Sequence, residues 1–158
     1  MNILLALFAA LAIFRGWRGM KRGLVEEIGL LLSLLLSLFV LSLAILLYTS
    51  IQEKDTKNIV LSVFVILIVG IAARLLGLLR KTLSAIAHLP VLNLLNSLMG
   101  LAVGVAEAVV ALWILYIVVG NFDTGAFGER ILAWTEGNVW LQKLYDMNQI
   151  ASWLTTGL

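Results

Sequence analysis

Twenty consecutive residues without a charge, 28–47, constrain this chain more than any other feature. A helix that crosses roughly 30 Å of hydrocarbon needs about 20 mostly apolar residues. Two further long apolar stretches, residues 59–79 and 91–119, are each interrupted by one charge, Arg74 and Glu107. The 158-residue chain is 62% hydrophobic and only 13% charged, against about 25% charged in soluble domains. The chain is therefore predicted to be an integral membrane protein.

The apolar stretches predict an all-α bundle of about four transmembrane helices. A backbone in lipid must satisfy its own hydrogen bonds, and continuous apolar runs lack the alternation of barrel strands. The first run, residues 1–14, would span about 21 Å as a helix, so we expect it to continue into residues 15–23. A flexible turn over 15–23 is the alternative. The chain has no cysteine, which excludes disulfides and thiolate metal sites.

The basic segment, residues 15–23, is predicted to determine the topology. It holds four cations and three glycines between two uncharged runs: Arg15, Arg18, Lys21 and Arg22, with Gly16, Gly19 and Gly23. Cations collect on the cytoplasmic side of membrane proteins. Four spans with both termini on the periplasmic or extracellular side satisfy that bias best. On a helix the glycines share one face, which predicts close packing on a neighbour while the cations reach headgroups.

A polar and small-residue stripe marks the last long apolar run. Its members are spaced three or four residues apart on one helical face: Asn93, Asn96, Gly100, Gly104, Glu107 and Ala111. Gly100 and Gly104 form a GxxxG pair, which is typical of close helix contacts in membranes. Glu107 is the sharpest functional candidate because a carboxylate deep in a membrane is costly. It is predicted to bind a proton or ion, or else to pair with Arg74 or hydrogen-bond Ser33 or Ser37.

Residues 121–158 change in character and are predicted to form a C-terminal interfacial segment beside a transmembrane domain of residues 1–120. Turn residues precede a short helix at 126–135 and a longer amphipathic helix at 139–154. The predicted apolar face of the longer helix carries Trp140, Leu144, Met147, Ala151 and Leu154. Such a helix lies along the membrane interface.

Three segments together resemble the colicin V production protein (CvpA) family. They are residues 22–28 with Gly16 and Arg18 ahead of them, residues 92–100 continuing to Gly104, and residues 141–146. Asn96 stands where the family often has aspartate, and Glu107 where a basic residue is common. The resemblance implies a multi-pass bacterial inner-membrane protein linked to colicin V-type toxin production and export and to envelope maintenance.

Catalysis is not predicted. The chain has one histidine and no HExxH, GxSxG or phosphate-loop motif, so no enzyme, cofactor or metal is expected. The cations flank apolar runs, a pattern that indicates a membrane rather than nucleic acid. Two functions remain open. The favoured function is a non-catalytic scaffold or accessory protein that assembles through the GxxxG stripe and the C-terminal helix, with itself or with another membrane protein. The alternative is an oligomeric conduit for protons, ions or small solutes in which Asn96 and Glu107 line a polar path.

Overall fold

The computed structural model describes residues 2–52, 56–86 and 93–148, and over these ranges the chain forms α-helices and no strand. The helices are α1 (Ile3–Arg22), α2 (Leu24–Gln52), α3 (Thr56–Ile86), α4 (Asn93–Asn121), α5 (Gly125–Glu136) and α6 (Val139–Asp146). The all-α fold class predicted from the sequence is confirmed.

Among the described residues, three helices are long and apolar enough to cross a membrane: Ile3–Arg22, Leu24–Gln52 and Leu94–Asn121. The apolar part of α3 is shorter, Val63–Leu78. The described chain is thus a multi-pass membrane protein, and its fourth span stays a prediction.

Helix α1 runs without a break through most of the basic segment. Its N-terminus is capped by Asn2, whose side chain accepts a hydrogen bond from the Leu5 N–H at 3.1 Å. It ends at Gly23, where φ is +85°, and α2 begins at the next residue. Side chains disfavour this left-handed conformation and glycine does not. Of the two alternatives for this segment, the structure has the continuous helix.

Helix α4 lies at the centre of the bundle. α1 packs along one side of it and α2 along another, while α3 packs on α2. Gly19 meets Gly100 near the start of α4, and Leu4 joins Tyr116 in one cluster near its end. α1 and α4 are therefore antiparallel. A second cluster joins α2 to α4 through Leu38, Ile45, Val110 and Ile117.

The C-terminal helices share the core of the transmembrane helices. We call their shared cluster the apolar end; it consists of Leu4, Leu112, Tyr116, Val119, Ile131 and Leu141. In addition, the side-chain amide of Asn2, the residue that caps α1, donates a hydrogen bond to the Trp134 carbonyl of α5. Helices α5 and α6 thus close one end of the α1–α4 contact.

Helix α6 buries only part of the face expected from the sequence: Leu144 of that face packs against the apolar end. Leu141 is 0% exposed, whereas Trp140 and Met147, on the predicted apolar face, are 70% and 63% exposed. The inward anchor is Leu141, and Trp140 and Met147 point away from the bundle. Ala151 and Leu154 lie outside the described residues. An interfacial position for α6 stays a prediction.

Candidate functional site

Helices α1 and α4 touch backbone to backbone. A Cβ atom on Gly19 would lie 2.1 Å from the Gly100 carbonyl oxygen, and one on Gly104 would lie 2.3 Å from the Arg15 carbonyl oxygen. No side chain fits either position unless the helices separate. We call this contact the glycine crossing (Gly16, Gly19, Gly100 and Gly104). The GxxxG pair of α4 thus meets the glycine face of α1 within one chain.

The turn between α1 and α2 is held by α4. The Leu24 N–H, at the start of α2, donates to Asn96 Oδ1 at 2.8 Å. Ser97 Oγ donates to the Met20 carbonyl oxygen in the last turn of α1. Helix ends leave such backbone groups without intrahelical partners, so Asn96 and Ser97 satisfy groups on both sides of Gly23.

Two glutamates are buried beside the glycine crossing. Glu107 of α4 is 0% exposed and forms an ion pair with Arg15, with 2.9 Å between Nη1 and Oε2. Glu27 of α2 is 1% exposed, and its Oε1 lies 4.0 Å from Arg22 Nη1. The carboxyl groups of Glu27 and Glu107 lie within hydrogen-bonding range of each other. We call them the carboxyl pair.

One oxygen of each glutamate lacks a hydrogen-bond donor. Glu27 Oε2 and Glu107 Oε1 are both buried, and no donor in the described part of the chain reaches them. A buried polar atom without a partner is costly, more so if it carries charge. The carboxyl pair therefore has capacity for one further hydrogen bond.

The structure brings several predicted residues into this site. Asn96, Gly100, Gly104 and Glu107 contact α1 or the α1–α2 turn. Arg15 supplies the ion pair for Glu107. Of the other two members of the stripe, Ala111 is half-buried further along α4, and the side chain of Asn93 lies outside the described part.

The partners considered for Glu107 from the sequence lie elsewhere. Arg74 is exposed on α3, and the ion pair of Glu107 is with Arg15 instead. Ser33 and Ser37 donate to carbonyl oxygens of their own helix at 2.8 Å. A hydroxyl in an apolar helix readily forms such a bond with the preceding turn.

The cations of the basic segment divide into two groups. Arg15 and Arg22 reach the carboxyl pair. Arg18 and Lys21 are exposed, and Lys21 Nζ lies 5.2 Å from the ring centroid of Trp17. The segment therefore supplies internal ion pairs as well as surface charge.

Glu27 was missed by the sequence reasoning, although a signal was present. Gly19, Gly23 and Glu27 are spaced four residues apart, which places Glu27 in line with the glycines if the helical phase persists through the turn. This alignment requires α1 to continue through the basic segment, which the sequence alone left open.

The chemistry of the site is that of a buried polar contact. No group of three or more His, Cys, Asp or Glu side chains that could hold a metal occurs in the described ranges. Two carboxyl groups flanked by two guanidinium groups can exchange a proton and can tie helices together.

Together, the apolar spanning helices and this internally paired site define a multi-pass all-α membrane protein. The family described as colicin V production protein matches residues 3–147. The chain belongs to this family, and the resemblance seen in its sequence is confirmed. The family is not known as enzymatic. No curated protein and no solved structure matches the chain.

Proposed function

We propose that this protein is a non-catalytic scaffold or accessory subunit of the bacterial inner membrane. In this role it serves colicin V-type toxin production and export and contributes to envelope maintenance. Membership of the colicin V production family supports the link to toxin production. The observation that carries the scaffold role is a contrast between two parts of the described chain. The glycines and ion pairs of the interior are engaged within the chain, whereas an apolar face of α3 is exposed.

The interior offers little for an outside partner. Gly100 and Gly104 are in contact with α1, so this GxxxG pair is not available to a second protein. Asn96 is engaged by the start of α2, and Glu107 by Arg15. The sequence alone predicts assembly through the GxxxG stripe of α4. In the structure, α1 would have to move away from α4 before another protein could reach that stripe.

The exterior offers a broad apolar surface on α3. Phe64, Leu67, Ile71 and Leu75 are between 56% and 62% exposed and recur every three or four residues. We call these four residues the α3 outer face. Gly70 and Gly77 are also open, because no atom of the described residues lies within 4 Å of an added Cβ. In a bilayer such a face contacts lipid or another helix, and small residues favour the helix. This supports α3 as the assembly surface.

The conduit alternative finds less support. It requires Asn96 and Glu107 to line a polar path between copies of the chain. Glu107 is 0% exposed and packs against its own α1. A path through this position would need the glycine crossing to open, so the geometry favours the scaffold.

The assembly surface can be tested by photo-cross-linking in living bacterial membranes. A photoreactive amino acid at Ile71, on the α3 outer face, is expected to capture a defined protein, either a second copy or another membrane protein. Ile13 of α1 is 73% exposed and provides the matched position; a probe there is expected to capture lipid alone.

Mass spectrometry of the adducts then separates the hypotheses. Lipid adducts alone at both positions would refute the scaffold proposal. Protein-free liposomes provide the baseline for the conduit: proton or ion flux that requires the purified protein and disappears in Glu107→Gln would favour it.

A further inference from the structure

The carboxyl pair places two acidic side chains at one buried point between spanning helices. Glu27 and Glu107 come from different helices, are 1% and 0% exposed, and approach within hydrogen-bonding range. Two ionised carboxylates at this separation repel strongly in a medium of low dielectric constant. Each is also an acceptor only, so neither can donate to the other.

The neighbouring cations lie next to only two of the four carboxyl oxygens. Arg15 lies 2.9 Å from Glu107 Oε2, and Arg22 lies 4.0 Å from Glu27 Oε1. The other two oxygens, Glu27 Oε2 and Glu107 Oε1, lack a donor among the described residues. The charged groups that act on Glu107 are Glu27 of α2 and the guanidinium groups of Arg15 and Arg22 of α1. A donor is therefore needed between the carboxyl groups.

We propose that Glu27 and Glu107 bind one proton between them, so that a single O–H···O hydrogen bond joins α2 to α4 beside the glycine crossing. The proton is taken up from water and adds to one carboxylate, and no other bond forms or breaks. The resulting carboxylic acid donates to the remaining carboxylate, which gives a short, charge-assisted hydrogen bond. The pair then keeps one negative charge, which faces the two guanidinium groups.

A proton fits this site better than a metal cation does. Metal cations such as Mg²⁺ and Ca²⁺ take six or more oxygen ligands, and the described ranges hold no cluster of three acidic or histidine side chains. Arg15 and Arg22 would also repel a metal ion. A proton needs only the two oxygens that the carboxyl pair provides.

The glycine crossing makes room for this contact. A Cβ on Gly19 would lie 3.3 Å from Cγ of Glu27, so a larger residue there would press on the glutamate. Gly19 therefore serves two purposes, the close approach of α4 and the placement of the Glu27 side chain. The proton-binding site depends on α1, α2 and α4 meeting at one point.

The proton also links helix packing to pH. The folded protein holds one proton that the separated carboxylates of an unfolded chain release at neutral pH. Stability must then fall as the pH rises and the folded state loses this proton. Glutamine keeps a hydrogen-bond donor at all pH values, so Glu27→Gln is expected to abolish most of this dependence.

Infrared spectroscopy of the full-length protein in liposomes tests the proposal directly. At neutral pH we expect a carbonyl stretching band of a protonated carboxylic acid that shifts when the protein is labelled with ¹³C-glutamate. The band should disappear in Glu27→Gln and in Glu107→Gln. Glu26→Gln is the matched control, because Glu26 is the adjacent glutamate and is exposed; it should keep the band.

The proposal stays testable even if a variant fails to fold, because the spectrum of the wild-type protein alone can overturn it. Absence of a ¹³C-sensitive acid band at neutral pH would overturn the proposal, as would a band that survives in both folded variants. A thermal midpoint that rises with sodium ions in the absence of such a band would assign the site to a cation instead. The photo-cross-linking result at Ile71 does not depend on any of these outcomes, so the scaffold proposal stands or falls separately.

Discussion

The two ends of the α1–α4 contact hold the same pair of helices together by opposite means. At the glycine crossing the backbones touch, and a Cβ on Gly100 would lie 2.2 Å from the Gly19 carbonyl oxygen. At the apolar end large side chains fill the gap, with Leu4 and Tyr116 packed against Ile131 and Leu141. The glycine crossing therefore has no room for larger side chains, whereas the apolar end requires the large side chains that fill it.

The polar contacts of the two ends differ as well. At the apolar end they are neutral: the Thr135 and Tyr116 hydroxyls lie 3.0 Å apart, and Trp113 Nε1 donates to the Leu144 carbonyl at 2.8 Å. The glycine crossing instead has buried carboxyl groups beside cations. Neutral hydrogen bonds do not respond to pH, whereas the carboxyl pair can. The polar contacts of the apolar end are therefore expected to stay the same at different pH values, whereas those beside the glycine crossing are expected to change.

The largest expected effect is that of one added methyl group at the glycine crossing. In Gly100→Ala the new Cβ meets backbone, so the helices must move apart. The loss in free energy of unfolding should exceed the roughly 3 kcal/mol that overpacking commonly costs. Unfolding of the detergent-solubilised protein by sodium dodecyl sulfate measures it.

Gly77→Ala provides the control for this comparison. Gly77 is a helical glycine of α3. Within the part of the chain that the structure describes, no atom lies within 4 Å of a Cβ added there, and alanine is the better helix former. This variant should be as stable as the wild type or slightly more stable. Equal losses at Gly77 and Gly100 would show that the backbone contact contributes nothing.

At the apolar end, removing side-chain atoms should destabilise the protein. Leu141 is fully buried, and Leu141→Ala leaves a cavity between α6 and the bundle. We expect a loss of about 3 kcal/mol, as for other large-to-small substitutions in a packed core. Thermal unfolding measures this loss. Leu98→Ala is the matched control, since Leu98 is 54% exposed; a comparable loss there would contradict the assigned packing of α6.

The sequence was sufficient for those parts of the fold that depend on local chemistry. Apolar length identified the three helices that are long enough to span a membrane, and the three- and four-residue spacing of glycines identified both faces of the glycine crossing. It did not show that these faces meet each other within one chain. A glycine face packs closely on any helix that fits it, so the sequence alone could not decide whether the GxxxG pair meets a helix of the same chain, a second copy or another protein.

The site was predictable only in part for a related reason. Glu107 stood out because it interrupts a long apolar run, and Arg74 was its most visible counter-charge in the sequence. The actual partner, Arg15, belonged to a segment whose cations were assigned to membrane topology. Leu141 was missed because α6 has apolar residues on two sides, and periodicity cannot decide which side faces the bundle.

The smallest of the three effects concerns the charges at the glycine crossing. Arg15→Gln removes the guanidinium beside Glu107. Breaking a fully buried ion pair costs about 3–5 kcal/mol, but the Arg15 side chain is 30% exposed, so we expect about 2 kcal/mol after screening. Glu107→Gln should recover part of this loss, because the double variant leaves no unpaired charge. A double-mutant cycle on unfolding free energies measures this coupling. Arg18→Gln removes an exposed cation of the same segment and should cost little; if it equals Arg15→Gln, the effect comes from net charge rather than from the ion pair.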